Sequence, residues 1–325
     1  MIIPEFWAES RQLGRRDGRR VTVRRFGFSE TSLEDAQRHA DERAREALAQ
    51  VLSGADLPRR ELRRPYGGED GLPIREEIVE RHGEIVITRN SYGARCLNVR
   101  DVLFVDVDLE DAASEKASFA VGLVLVAIAV AAGAWRDSVW IGILGAFVAY
   151  VFAPTIAAVV VRIGRRLRGD PAASALGRIR RFAEAHPDWR MRIYRTPAGF
   201  RLLVLHRTFD ALEAAVSECF DALGADPAYV RMCRAQRCFR ARISPKPWRI
   251  GETNLSKVTR AVWPVTAEVA ERRARWIERY ESAALGHASC VFVEELGSSR
   301  SDARAEEVRR IHDDACRATS TLPLA

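Results

Sequence analysis

Residues 117–135, ASFAVGLVLVAIAVAAGAW, and residues 138–161, SVWIGILGAFVAYVFAPTIAAVVV, contain no charged side chain. Only Arg136 and Asp137 part the two runs, and Trp135 and Trp140 stand close on either side of that pair. A helix needs about 20 apolar residues to cross a bilayer core of roughly 30 Å, and aromatic residues gather at the headgroup level. The stretch therefore predicts a two-helix transmembrane hairpin, with its turn at the far surface and a tilt or kink at Pro154. A fully buried helical hairpin of a water-soluble core is the competing reading, because Ala and Gly are plentiful. Arg162, Arg165, Arg166 and Arg168 crowd the exit of the second run, and Lys116 precedes the first. Cationic flanks stay on the cytoplasmic side, so residues 1–116 and 162–325 are expected to be the two cytoplasmic parts of one α+β body.

The balance of charge narrows the partners only partly. There are 51 Lys and Arg against 44 Asp and Glu, a formal charge of +7, and the pI is near 9.4. A lipid bilayer with anionic headgroups suits that charge, and a nucleotide or nucleic acid suits it equally. The N-terminal MIIPEFWAESRQLGRR has no long apolar run, so no secretory signal is expected. Cysteines 96, 219, 233, 238, 290 and 316 show neither a disulfide framework nor metal-ligand spacing and are expected to be reduced thiols. Cys233 and Cys238 lack a second Cys/His pair and read as structural. Cys96 has no adjacent histidine to activate it and reads as a buried thiol. No Walker loop, dinucleotide fingerprint, zinc-protease helix or nucleophile elbow is present, which excludes those enzyme classes.

The soluble parts alternate strands and helices. Val21–Phe26 reads as a strand, and Ser32 caps a helix whose apolar face runs through Leu33, Ala36, Ala40, Ala44, Ala47, Leu48 and Val51, ending at Gly54. Residues 57–73 read as a loop and residues 74–83, IREEIVERHG, as a helical turn. Strands follow at 84–88 and 102–108. Beyond the apolar block a helix is expected over 173–186. A hairpin of strands 190–196 and 200–206 then turns at Thr196-Pro197-Ala198-Gly199. A helix at 210–223, a strand at 239–243, a stiff basic segment Ser244-Pro-Lys-Pro-Trp-Arg249, a helix at 267–282, a strand at 289–294 and a helix at 301–317 complete the chain. The fold class expected is α+β: a mixed or antiparallel sheet with flanking helices, interrupted by the two-helix transmembrane hairpin.

The candidate site starts from the strand 102–108, VLFVDVD. Side chains alternate faces, so Asp106 and Asp108 share one face at its end. Two carboxylates two residues apart lie about 6.5–7 Å apart along a strand, close enough to hold Mg²⁺ ions that bridge phosphate oxygens. The other reading pairs Asp106 and Asp108 with neighbouring arginines or sets them to cap the following helix. Arg195, Arg201, Arg242 and Lys246 supply a cationic wall suited to phosphate, although a charged surface beside anionic lipid would look the same. His206 ends its strand, as a phosphate contact and catalytic group or as a packing residue.

Four strings resemble an uncharacterised family of bacterial transmembrane proteins. They are VTVRRFGFS (21–29), GLPIREEIVERHGEIVITRNSYGARCLN (71–98), YRTPAGFRLLVLH (194–206) and FRARISPKPWR (239–249). That resemblance spans most of the chain and implies placement in the bacterial inner membrane. More remotely, the order of elements resembles the archaeo-eukaryotic primase-like nucleotidyltransferases. In that fold a strand ending hydrophobic-Asp-hydrophobic-Asp leads to a helix, and a hairpin follows with Arg-Thr-x-x-Gly and a histidine motif. A third carboxylate comes last. Phe104–Asp108 match the first motif and Arg195–Gly199 the second. Arg201 stands where the histidine is expected, with His206 further on, and the third carboxylate has only Asp226, Glu294 and Glu295 as candidates. Two functions follow as expectations: a membrane-anchored cytoplasmic binding module with a primase-like sheet and no catalysis, or a Mg-dependent nucleotide or nucleic-acid enzyme using Asp106 and Asp108.

Overall fold

The computed structural model describes residues 1–57, 73–109, 113–168 and 170–325, so the loop expected at 57–73 lies, from 58 to 72, outside the described residues. The chain forms two compact units, residues 1–106 with 183–325, and residues 107–182.

The first unit opens with a hairpin, β1 (Phe6–Arg16) and β2 (Arg19–Ser29), closed by Asp17 and Gly18, both at positive φ. Two such residues give a turn whose twist matches the strands. Val21 and Val23 are buried with Ala47 and Val51 of helix α1 (Leu33–Leu52). Ser32 caps this helix through its Oγ, which accepts from the Asp35 N–H at 3.0 Å. The alanines and Val51 of the expected face are buried, whereas Leu33 is 60% exposed and Leu48 half-buried. Small residues let the strand come close: a Cβ on Gly27 would lie 2.2 Å from the Ala40 backbone nitrogen.

Next come β3 (Glu77–His82), β4 (Ile85–Arg89), β5 (Arg95–Val99) and β6 (Phe104–Asp108). The second unit carries α2 (Ala113–Trp135), α3 (Val139–Arg168) and most of α4 (Pro171–Ala185). The first unit resumes with β7 (Arg190–Arg195), β8 (Gly199–Val204), α5 (Ala214–Leu223), α6 (Pro227–Gln236), β9 (Phe239–Arg242), α7 (Leu255–Thr259), α8 (Ala267–Ala284), β10 (Val291–Gly297) and α9 (Ala303–Cys316). One sheet has the order β3-β4-β5-β9 and another β10-β7-β8-β6. The registers of β3–β4, β4–β5, β5–β9, β10–β7 and β7–β8 are all antiparallel. The fold is α+β with antiparallel sheets and flanking helices, and segments 102–108 and 200–206 meet as the neighbours β6 and β8.

The helical turn expected at 74–83 is instead the strand β3. Its glutamates favour a helix locally, but pairing with β4 and ion pairs from Glu77 to Arg89 (3.3 Å) and Arg273 (2.5 Å) hold it extended. Tertiary contacts override local propensity here.

In the second unit α2 and α3 pack as a hairpin. Their backbones approach closely at glycine, where a Cβ on Gly133 would lie 2.8 Å from Gly142 Cα. Trp135 and Trp140 are 85% and 79% exposed, and Leu123, Ile128, Leu144 and Phe147 are exposed too. The transmembrane reading does not survive. Among the described residues no helix is long and apolar enough to cross a membrane. The side chains of Lys116, Arg162, Arg165, Arg166 and Arg168, which set the expected orientation, lie outside those described. The transmembrane hairpin at 117–161, the membrane anchoring, and the multi-pass inner-membrane placement with both soluble parts cytoplasmic are corrected accordingly.

Candidate functional site

Asp106 and Arg201 form the centre of the expected site. Arg201 projects from β8, only 2% exposed, and grips Asp106 with two parallel hydrogen bonds, Nε to Oδ1 at 2.8 Å and Nη2 to Oδ2 at 3.1 Å. Its Nη1 donates to the Arg242 carbonyl oxygen at 2.7 Å. Burial opposes the guanidinium charge, and the Asp106 carboxylate outweighs it, so the Arg201 pKa lies above its ordinary value. Both oxygens of Asp106 are thus engaged. Mg²⁺ demands oxygen ligands in near-octahedral array, and a guanidinium already occupying both carboxylate oxygens does not fit that need. Asp108 is exposed and belongs to the second unit.

Two of the candidate third acids have other tasks. Asp226 caps α6, its carboxylate accepting from the Ala228 and Tyr229 N–H groups, while its own N–H donates to the Asp106 carbonyl at 2.9 Å. Glu295 pairs with Arg190 at 2.7 Å and Arg192 at 3.3 Å. Glu294 is half-buried on β10.

The expected phosphate wall divides among different jobs. Arg195 closes its own turn, donating from Nη1 to the Gly199 carbonyl at 3.0 Å, and the Thr196 N–H bonds the same oxygen at 2.9 Å. Arg242 is half-buried at the end of β9. Lys246 lies with its Nζ 5.4 Å from the Trp248 ring centroid.

His206 is buried among aromatic rings, 5.0 Å from Trp189 and 5.5 Å from Phe209 between centroids, and its Nδ1 accepts from the Arg190 N–H at 3.4 Å. Burial first, then Arg207, hold the imidazole below its ordinary pKa. An unfolded histidine titrates near pH 6.5. Below about that pH the unfolded chain takes up a proton that the folded chain refuses, so stability is full above it and falls as the pH drops towards the folded value. Urea midpoints at pH 7.5 and 5.5 are expected to show this loss in the wild type and a smaller one in His206→Phe.

The structure also assembles a constellation that spacing along the chain does not announce. Among the described residues, Cys290, His312 and Cys316 place one donor atom each within 4.8 Å of the others, and all three are buried. Cys290 immediately precedes β10, while His312 and Cys316 sit one turn apart on α9. The Ser289 N–H bonds the Cys316 carbonyl at 3.0 Å and the Phe292 N–H the Ala318 carbonyl at 2.7 Å, which fixes the strand against the helix end. Cys290 Sγ lies 3.9 Å from His312 Nε2. The Cys316 hydrogen bond, against burial and together with His312, holds the Cys290 thiol well below its ordinary pKa. Burial pushes Cys316 up. His312 Nδ1 meets Asp313 Oδ1 at 3.1 Å, and Asp313 in turn accepts from Tyr194 Oη at 2.5 Å and pairs with Arg192 at 3.2 Å. The signal available in the sequence was His312-x-x-x-Cys316, a spacing that puts two ligand types on one helix face.

Trp248 offers a different surface. It is 50% exposed, with the Tyr92 ring edge-on at 5.4 Å. Beside it lies a depression of about 450 Å³ lined by Trp248, Glu252, Thr253, Asn254 and Lys257. Comparisons with family models, with curated proteins and with solved structures return no match.

Proposed function

We propose that the chain is a binding module for a nucleotide or a single-stranded nucleic-acid segment, built on a primase-like antiparallel sheet and working without phosphoryl transfer. The observation behind this reading is the two-pronged grip of Arg201 on Asp106. It spends the first carboxylate of the strand motif on an internal ion pair, where an enzyme of this type needs it for metal.

The ligand class follows from Trp248. An exposed indole accepts a base on its face, and neighbouring ammonium groups attract the backbone. Lys246 and Lys257 stand where they can do so, one over the ring and one in the wall of the depression. The net charge of +7 favours the same partner.

Anisotropy of a labelled single-stranded oligonucleotide tests this directly. Trp248→Ala is expected to weaken binding by about 1–3 kcal/mol, the usual worth of one stacked base. Lys246→Ala with Lys257→Ala is expected to flatten the salt dependence. Wild-type binding untouched by these changes, or no binding at low salt, would remove the reading.

A further inference from the structure

We propose that Cys290, His312 and Cys316 form a binding site for a thiophilic cation, zinc above all, buried between the start of β10 and the face of α9. The donor set is the first reason. Two sulfurs and an imidazole nitrogen suit Zn²⁺, or a soft monovalent ion such as Cu⁺, and discriminate against Mg²⁺ and Ca²⁺.

Distance is the second reason. Zinc holds sulfur at about 2.3 Å and nitrogen at about 2.0–2.1 Å, so neighbouring donors around a tetrahedron sit about 3.5–3.8 Å apart. Cys290 Sγ and His312 Nε2 stand 3.9 Å apart, and no donor pair in the trio exceeds 4.8 Å. Donor shifts of about 1 Å or less would close the set on an ion, with a small exchangeable ligand in the fourth position.

The surroundings are the third reason. His312 Nδ1 is turned to the Asp313 carboxylate, which leaves Nε2 directed at Cys290. A carboxylate behind the outer ring nitrogen is the arrangement that orients metal-binding histidines. Asp313 is itself fixed by Tyr194 and Arg192. The end of α9 is clamped as well, since Arg317 Nη1 donates to the Ala284 carbonyl at 3.1 Å and the His287 carbonyl at 3.2 Å. Two thiolates balance a divalent charge, and the nearby Arg201 is neutralised by Asp106.

Metal analysis of the full chain, purified without chelator and after incubation with ZnCl₂, tests the site. One zinc per chain should survive gel filtration. Cobalt loading should give tetrahedral d–d bands with thiolate charge transfer, and Cys290→Ser or Cys316→Ser should each lower the charge-transfer intensity by about half, the share of one of two thiolates. The wild-type measurement stands even if a variant fails to fold. A folded wild-type chain that takes up neither zinc nor cobalt beyond the level of a Cys290→Ser, Cys316→Ser double variant would overturn the proposal. So would a Cys290–Cys316 disulfide found in the chain isolated from cells under alkylating conditions.

Discussion

Arg201→Ala is expected to destabilise the protein by about 3–5 kcal/mol, the cost of breaking a buried ion pair from one side. Arg201 is almost wholly buried, with a side-chain exposure of 3%, whereas Asp106 retains 27%. The truncation leaves a carboxylate with no cation and removes the guanidinium donor from the Arg242 carbonyl. Some water can reach Asp106, so the lower half of that range is the better expectation. Arg201→Lys should recover only part of the loss, because one ammonium cannot span two carboxylate oxygens and a carbonyl at once. The double change Asp106→Leu with Arg201→Met should be less damaging than Arg201→Ala, since no orphaned charge remains. Urea midpoints of the four proteins read this out. Equal stability of Arg201→Ala and wild type would show that the pair does not hold β8 to β6.

Trp276→Ala is expected to cost a similar amount, about 3–5 kcal/mol, as usual for a large core aromatic. Trp276 on α8 is fully buried, stacked on Tyr280 at 4.9 Å with 10° between the planes. Its ring fills the space beside Gly93, where an added Cβ would fall 2.1 Å from Trp276 Cη2. Its Nε1 donates to the Thr253 carbonyl at 2.8 Å. That bond ties α8 to the segment lining the depression at Trp248, so the loss should reach function as well as stability. Trp276→Phe separates the two effects. It keeps most of the packing and loses the bond to Thr253. A modest fall in melting temperature with a clear fall in oligonucleotide affinity is the expected pair of results, measured by thermal melts and anisotropy.

How far the sequence disclosed this molecule varied with how local the determining forces are. Ser32 and the alanine stripe of α1 were legible because capping and helical periodicity act within a few residues. The turn at Thr196–Gly199 was legible for the same reason. Strand β3 was not, since Glu77 is held extended by Arg89 and by Arg273 from far along the chain. Strand β5 was missed because its core position is the polar Asn98. Its Nδ2 donates to the Val86 carbonyl and Thr88 Oγ1 on the adjacent strand, a pairing invisible before the sheet is built. The apolar block announced a helical hairpin, and its hydrophobicity was over-read as a span. Asp106 was found as a candidate, but its partner was a choice among many arginines. His312 and Cys316 lie one helical turn apart and were open to detection; Cys290 joins them only through the docking of β10 against α9.

With Asp106 engaged in an ion pair, ligand binding should need no metal. Oligonucleotide affinity of the wild-type chain, measured in EDTA and then in Mn²⁺ at matched ionic strength, tests it most directly. The same dissociation constant is expected in both, with no pyrophosphate release when nucleoside triphosphates are added. Binding that appears only with Mn²⁺, accompanied by pyrophosphate, would contradict it.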